Sequence, residues 1–123
     1  MNKKILIMDD KTPMRILMGH ILEGLKDQGI ELLMAADGEE GLRIALDERP
    51  DLIFLDVQMP YMNGDEVCRR VKAAHRETYV ILLTGQTMED ALSTEIEADE
   101  CITKPFHPDY ILERVSAVLG LES

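Results

Sequence analysis

The strongest constraint on the fold is a regular alternation of short apolar runs with longer amphipathic segments. Each apolar run spans four to six residues, a length typical of strands, and the segments between them repeat apolar residues at helical spacing. The predicted strands are residues 3–8, 31–35, 51–55, 79–83 and 100–103. Strands that alternate with helices pair in parallel through right-handed crossovers, with helices on both faces of the sheet. The pattern therefore predicts an α/β fold of five βα units.

The predicted helices begin and end at residues that favour helix boundaries. Thr12-Pro13 supplies an N-cap and a first-turn proline, and Gln28-Gly29 ends that helix. The other helices are predicted between Asp37-Gly38 and Arg49-Pro50, over residues 64–74 and 87–98, and from His107-Pro108 to Leu119. With 123 residues, 46% of them hydrophobic, and no linker or low-complexity tract, the chain is predicted to form one globular domain over residues 1–123.

Charge and cysteine usage exclude several classes of protein. The net charge of -11 argues against nucleic-acid binding, which needs Lys and Arg to displace phosphate counterions, and it disfavours an anionic membrane surface. The apolar part of the N-terminus covers only Ile5 to Met8, too little for a signal peptide, and no run is long enough to span a membrane. Cys68 and Cys101 have neither metal-ligand spacing nor a disulfide framework, so we expect reduced thiols in a cytoplasmic protein.

Polar residues follow four of the five predicted strands. They are Asp9 and Asp10 after the first strand, Asp56 after the third, Thr84 after the fourth and Lys104 after the fifth. Each has an ordinary structural explanation as a turn former, a helix cap or a solvated surface charge. However, the fold brings the carboxyl ends of all four strands to one edge of the sheet, where open parallel sheets bind ligands. We therefore interpret these residues as one site.

The chemistry of this set favours phosphoryl transfer. Three carboxylates at one edge repel one another, which requires raised pKa values, a cation, or both. Carboxylate oxygens with open positions suit Mg²⁺, while Lys104 adds a positive charge and Thr84 a hydroxyl donor. Such a surround accommodates a transferring phosphoryl group, and a carboxylate can itself be the nucleophile. Asp56, at the end of the apolar run Leu52 to Leu55, is the candidate nucleophile.

The ordered motifs resemble the receiver domain of two-component response regulators over nearly the whole chain. They are "KKILIMDD", "LIFLDVQMPYMNG", "VILLTG" and "ADECITKPF". The resemblance implies a flavodoxin-like, doubly wound (βα)5 fold with a central five-stranded parallel sheet in the order 2-1-3-4-5. It implies that Asp56 is the phosphoacceptor. It also implies that Mg²⁺ is bound directly by Asp10, often through water by Asp9, and by Asp56 and the backbone carbonyl of Gln58.

The resemblance also implies roles around the phosphoryl group. Thr84 would hydrogen-bond one phosphoryl oxygen, Lys104 would pair with another, and a cis peptide bond before Pro105 would position Lys104. The donor would be a phosphohistidine on a histidine kinase or a histidine phosphotransfer protein. The chain's own His20, His75 and His107 are expected to be surface or capping residues. The domain is not expected to be an enzyme beyond its own aspartyl phosphorylation and dephosphorylation.

The expected output is a change in protein–protein contacts. In the resembled family, the output face comprises the fourth helix, the fifth strand and the last helix, and it can support a homodimer or bind a downstream protein target. Because the sequence shows no effector domain after the last helix, the domain is expected either to act alone through protein contacts or to be a receiver cut from a longer protein. This face is predicted to present Asp99, Glu100, Glu113 and Arg114.

Some residues depart from the family pattern. Cys101 occupies the position where the family commonly has Tyr or Phe, which puts the usual coupling between that ring and the threonine in doubt. A redox role for Cys101 is disfavoured, since nothing nearby in sequence clearly lowers its pKa. Gln58 and Gln86 lie at positions that tune phosphoryl lifetime in the family, but two uncharged side chains predict neither a long nor a short lifetime.

Three other functions compete with a phosphorylated switch. A degenerate receiver would dock partners without phosphorylation; the intact acidic site opposes this reading, and Cys101 keeps it open. A Mg²⁺-dependent phosphatase of the haloacid-dehalogenase type would need a second Asp where Gln58 stands, as well as a cap for which there is no room. A flavodoxin-like flavin carrier would place its flavin phosphate against Asp9 and Asp10, which would repel it.

Overall fold

A computed structural model describes residues 3–57, 64–85 and 98–121. Its centre is a five-stranded parallel sheet in the order β2-β1-β3-β4-β5, which confirms the predicted topology. The strands are β1 Lys3–Met8, β2 Ile30–Ala35, β3 Leu52–Asp56, β4 Tyr79–Thr84 and β5 Glu100–Thr103. The described helices are α1 Thr12–Leu22, a 3-10 helix Glu23–Gln28, α2 Gly38–Glu48, α3 Gly64–Ala74 and α4 Pro108–Leu119. The helix predicted over residues 87–98 lies outside the described residues.

The sheet is buried on both faces, as its continuous apolar strands require. In β1, Ile5 and Ile7 contribute to the core on one face, which includes residues of α1 and α4. Leu6 and Met8 contribute to the core on the other face, which includes residues of α2 and α3. All five residues of β3 are buried, so this strand lies at the centre of both cores. Within the described residues, no helix is long and apolar enough to cross a membrane.

Most predicted boundaries are confirmed, and the first helix shows the clearest difference. Thr12 is not its N-cap: Lys11 takes that position with extended backbone, and the Lys11 N–H donates to Asp9 Oδ1 at 2.8 Å. The turn before α1 is thus formed by the Asp9 side chain. Past Leu22 the segment tightens into the 3-10 helix. Leu22 at the end of α1 and Leu25 in the 3-10 helix, three residues apart, belong to the same core.

The third strand begins and ends one residue later than predicted. Asp51 directly precedes it, and the Asp51 carboxylate accepts the Lys4 N–H at 2.8 Å. Asp56 is consequently the last residue of β3, in register with Leu83 of β4. The nucleophile proposed from the sequence is therefore anchored by the sheet rather than carried on the following loop.

Candidate functional site

Strand register brings the predicted site residues to one edge of the sheet. The last residue of β1, Met8, pairs with Leu55, so Asp9 follows β1 at the level where Asp56 ends β3. Thr84 ends β4 opposite Thr103 of β5. The Lys104 N–H then donates to the Thr84 carbonyl at 2.7 Å, which fixes Lys104 beside β4. The backbone alone thus places the ends of four neighbouring strands, β1, β3, β4 and β5, together.

Three carboxylates form the centre of this edge. One ligand oxygen from each of Asp9, Asp10 and Asp56 lies within 4.8 Å of the others. The side chains of Asp9 and Asp56 are only 1% and 7% exposed, whereas that of Asp10 is 32% exposed. The cluster therefore has two buried carboxylates and one at its mouth. Oxygen donors at this spacing, with one side open to water, fit a hard divalent cation such as Mg²⁺.

Thr84 is buried beside the cluster, and Lys104 reaches it from β5. The Lys104 ammonium lies 3.5 Å from Asp9 Oδ2 and is 20% exposed. Lys104, which the resemblance pairs with a phosphoryl oxygen on Asp56, therefore contacts the Asp9 carboxylate in this structure. The Lys104–Pro105 peptide bond is cis, as the resemblance implied. Gln58, the implied backbone ligand, and Gln86 lie outside the described residues.

Sequence reasoning missed a second lysine at the site. Lys11 Nζ lies 3.6 Å from Asp56 Oδ2 and 3.5 Å from Asp10 Oδ1. The Asp56 carboxylate raises the pKa of Lys11, with smaller contributions from Asp10 and Asp9, and partial desolvation opposes them. In the sequence, only its position directly after Asp9-Asp10 indicates that Lys11 could lie at the site. A lysine near the start of a helix is otherwise interpreted as a solvated surface charge.

The backbone around the carboxylates is held by contacts that the sequence did not reveal. Arg15 Nη1 on α1 donates to the Asp9 carbonyl at 2.6 Å, which ties the end of β1 to the helix that follows. Gly64 opens α3, and its N–H donates to the Val57 carbonyl at 3.1 Å. A Cβ at Gly64 would lie 3.0 Å from Val57 Cα and 3.1 Å from the Asp56 carbonyl oxygen. Glycine therefore permits the close approach of α3 to the end of β3.

Neither cysteine is placed for redox chemistry. Cys68 is buried in α3, and Cys101 is partly buried against the core that includes residues of α2 and α3. Burial raises the pKa of the Cys101 thiol, which disfavours the reactive thiolate. The side chain at the usual aromatic position is thus a small group that packs inward from β5.

Two residues of the predicted output face, Glu100 and Arg114, are paired with each other. Arg114 on α4 donates from Nε and Nη2 to the two Glu100 oxygens at 2.7 and 2.8 Å, and Tyr79 donates to Glu100 at 2.9 Å. The Glu100 side chain is only 15% exposed. Its pKa is lowered by the Arg114 hydrogen bonds. Glu100 is therefore largely enclosed, and its pair with Arg114 attaches α4 to β5.

Asp99 also has an internal role at this end of the sheet. Its carboxylate accepts from Lys72 Nζ at 2.5 Å and from the Val80 N–H at 2.8 Å. Glu113 remains exposed on α4. The histidines agree with the prediction of surface or capping roles: His20 is exposed on α1, and His107 caps α4 by accepting the Asp109 N–H.

Comparison with known proteins decides the family. The sequence profile described as "Response regulator receiver domain" matches residues 5–116. The chain belongs to the response regulator receiver family. This receiver domain is 40% identical over 121 residues to the alkaline phosphatase synthesis transcriptional regulatory protein PhoP of Bacillus subtilis. That match covers 97% of this chain and 49% of the relative, so the chain spans about half the length of that protein.

Solved structures agree with this assignment. The chemotaxis protein CheY4 of Vibrio cholerae is 32% identical, with a TM-score of 0.82 and coverage of 96% of this chain and 99% of that one. The receiver domain of the sensor histidine kinase PA1611 of Pseudomonas aeruginosa, described with magnesium coordinated in its active site cleft, has a TM-score of 0.86. It is 22% identical, covers 98% of this chain and 99% of its own, and supports the fold alone. The present chain is a phosphoacceptor receiver domain of two-component signalling.

Proposed function

We propose that Asp56 is the residue of this receiver domain that accepts the phosphoryl group. The observation that carries the proposal is the position of Asp56: a buried carboxylate at the end of the central strand, with two further carboxylates within 4.8 Å. Like charges held this close together repel one another, and such clusters are associated with function.

In the proposed reaction, one Asp56 carboxylate oxygen attacks the phosphorus of a phosphohistidine on a partner protein. The new P–O bond forms as the N–P bond breaks, and the electron pair of the broken bond returns to the imidazole, which takes a proton from solvent. Thr84, buried on the adjacent strand, donates its hydroxyl to a phosphoryl oxygen. Lys104 is held beside β4 by its backbone hydrogen bond, and its ammonium offsets the negative charge that develops on the phosphoryl group.

We propose that Asp9, Asp10 and Asp56 hold Mg²⁺, with the backbone carbonyl of Gln58 as a further ligand. The donor set fits, because all three side chains supply hard oxygens and the Asp10 side is open to water. When bound, Mg²⁺ supplies charge neutralisation to the phosphoryl oxygens. Asp9 keeps its orientation through the Lys11 N–H and the Lys104 ammonium.

The wider setting is also a proposal. We infer that residues 1–123 form one receiver domain, that it works in the cytoplasm, and that a histidine kinase or phosphotransfer protein supplies the phosphoryl group. The domain catalyses only its own phosphorylation and dephosphorylation. Its output is a change in contacts with a downstream protein or with a second copy of itself through the face formed by residues 87–98, β5 and α4.

The test is covalent modification in a defined mixture. The protein is incubated with Mg²⁺ and acetyl phosphate, and its intact mass is compared with those of Asp56→Asn and of Asp47→Asn, a control that removes an exposed carboxylate on α2. The expected result is one phosphate-sized gain in the wild type and in Asp47→Asn, none in Asp56→Asn, and none without Mg²⁺. Hydroxylamine should remove the added mass, because it cleaves acyl phosphates and leaves phosphate esters.

Two outcomes would contradict the proposal. A gain that survives in Asp56→Asn would place the phosphoryl group on another residue. A complete lack of gain, both with acetyl phosphate and with a phosphorylated histidine phosphotransfer protein, would favour a receiver that docks partners without phosphorylation.

A further inference from the structure

Lys11 is the residue at the site whose role neither the motifs nor the fold explains. Its ammonium lies at the mouth of the carboxylate cluster, 3.6 Å from Asp56 Oδ2 and 3.5 Å from Asp10 Oδ1. The side chain is 61% exposed, so it reaches these oxygens from the solvent side. The position that a cation would enter is therefore shared with a positive side chain.

The fold does not require the Lys11 ammonium. Lys11 is the N-cap residue of α1, but its side chain makes no capping hydrogen bond. Its backbone N–H supplies the contact that orients Asp9, at 2.8 Å from Asp9 Oδ1, and any residue other than proline would supply the same contact. A long, exposed side chain held by neither helix nor core takes up this position because the carboxylates attract it.

The ammonium groups of the two lysines contact different carboxylates of the cluster. Lys104 is 20% exposed and engages the buried Asp9, whereas Lys11 engages Asp56 and Asp10. Lys11, Lys104 and the Arg15 guanidinium, which lies 2.6 Å from the Asp9 carbonyl, are the cations next to the three carboxylates. Removing the Lys11 charge makes the site more negative by one charge, and a divalent cation is attracted more strongly to a more negative site.

We propose that Lys11 is a resident counter-ion that competes with a divalent cation for Asp56 and Asp10 and so sets the cation affinity of the receiver. The inference rests on the proposed function, namely that these carboxylates bind Mg²⁺. Cation binding displaces the Lys11 ammonium into solvent, which its exposed side chain allows without any change in the fold. Lys104, more enclosed and paired with Asp9, stays in place.

The experiment is a Mg²⁺ titration of the metal-free protein at low ionic strength, followed by calorimetry or by backbone NMR shifts. Two neutral variants, Lys11→Gln and Lys11→Met, are compared with the charge-keeping Lys11→Arg. The matched control is Lys26→Gln, which removes the same formal charge from an exposed position at the opposite edge of the sheet. There the Lys26 carbonyl accepts the Gly29 N–H, and the Gly29 carbonyl accepts the N–H of Lys3, the first residue of β1. Circular dichroism verifies that each variant is folded.

We expect both neutral variants to bind Mg²⁺ about three- to tenfold more tightly than the wild type, the range for one partly exposed charge at this distance. Lys11→Arg and Lys26→Gln should stay within about twofold of the wild type. The gain of the neutral variants should shrink at about 0.5 M salt, because exposed charges are screened.

The outcomes separate this inference from the proposed function. If the wild type binds Mg²⁺ and the neutral Lys11 variants match Lys26→Gln, the counter-ion role is overturned and the metal site stands. If Lys11→Arg binds as tightly as the neutral variants, the side-chain shape and not its charge is responsible, which also overturns the role. If neither the wild type nor any variant binds Mg²⁺, the metal site itself is wrong, and the counter-ion role with it.

Discussion

Two groups of charged residues in this receiver domain differ in how their negative charges are paired. At the carboxyl edge of the sheet, one oxygen from each of three carboxylates lies within 4.8 Å of the others, and the ammonium groups of Lys11 and Lys104 lie 3.5–3.6 Å from these carboxylates. Between β5 and α4, the single Glu100 carboxylate accepts two hydrogen bonds from Arg114 at 2.7 and 2.8 Å and one from Tyr79. The first group concentrates three negative charges, whereas in the second the one negative charge of Glu100 is paired with the positive charge of Arg114.

The pairing of buried charges therefore distinguishes a structural contact from a candidate binding site. Charge-assisted, bidentate hydrogen bonds compensate Glu100 for lost hydration, so this network stabilises the fold. The edge cluster holds three carboxylates close together, two of them buried, and their mutual repulsion costs stability. Removing charge should therefore destabilise the protein at one place and stabilise it at the other.

The largest effect is expected from Arg114→Ala. The change leaves the Glu100 carboxylate, only 15% exposed, without its bidentate donor, and we expect the free energy of unfolding to fall by about 2–3 kcal/mol. Urea denaturation measures the change. Arg70→Ala is the control, since Arg70 pairs with Glu66 on the exposed face of α3 and should cost less than about 0.5 kcal/mol. Equal losses in the two variants would remove the distinction between matched and surface pairs.

Adding Mg²⁺ should stabilise the edge cluster and leave the network unaffected. At ten times its dissociation constant, Mg²⁺ should raise the free energy of unfolding of the wild type by about 1.4 kcal/mol, because a ligand that binds only the folded state stabilises it. Asp10→Asn should lose most of this gain at the same Mg²⁺ concentration, whereas Arg114→Ala should retain it. A gain that persists in Asp10→Asn would mean that Mg²⁺ binds elsewhere.

In metal-free buffer, Asp56→Asn should stabilise the protein. Asparagine has nearly the same shape and removes one of the three mutually repelling charges, so we expect a gain of about 1 kcal/mol in the free energy of unfolding. Urea denaturation in the presence of a chelator measures it, with Asp47→Asn as the exposed control. A clear loss of stability would show that attraction to the surrounding cations outweighs the repulsion among the three carboxylates, which would contradict the contrast drawn between the two groups.

The smallest effect is the pH dependence of the network. Arg114 lowers the Glu100 pKa below its ordinary value of 4.5, so the folded state binds fewer protons at Glu100 than the unfolded state does. The stability from this pair is therefore fully present above the ordinary pKa and is lost as the pH falls through the lower, folded-state pKa. The difference in unfolding free energy between wild type and Arg114→Ala should be constant near pH 7 and narrow below pH 4.5. A difference that stays constant down to pH 3 would exclude this mechanism.

Much of the architecture was predictable because it depends on local patterns. Strand β1 and helix α3 have the predicted boundaries, and β5 is confirmed at Glu100–Thr103. Asp37 caps α2 by accepting the Glu40 N–H, as its position before Gly38 indicated. The set Asp9, Asp10, Asp56, Thr84 and Lys104 could be assembled because parallel strands carry their ends to a common edge. Periodicity and turn chemistry act over a few residues, so they can be read from a sequence.

The tertiary structure decided which charges are matched. Sequence placed Glu100 and Arg114 on an output face, but packing α4 against β5 joins them across 14 positions in the chain. Sequence reasoning did not single out Lys11, but the fold brings Asp56 Oδ2 to 3.6 Å from its ammonium. Coulomb interactions and hydrogen bonds depend on distances through space, which the order of residues does not fix. The sequence by itself determined the elements and the identity of the acidic edge, and only the packed chain determined which of its charges balance one another.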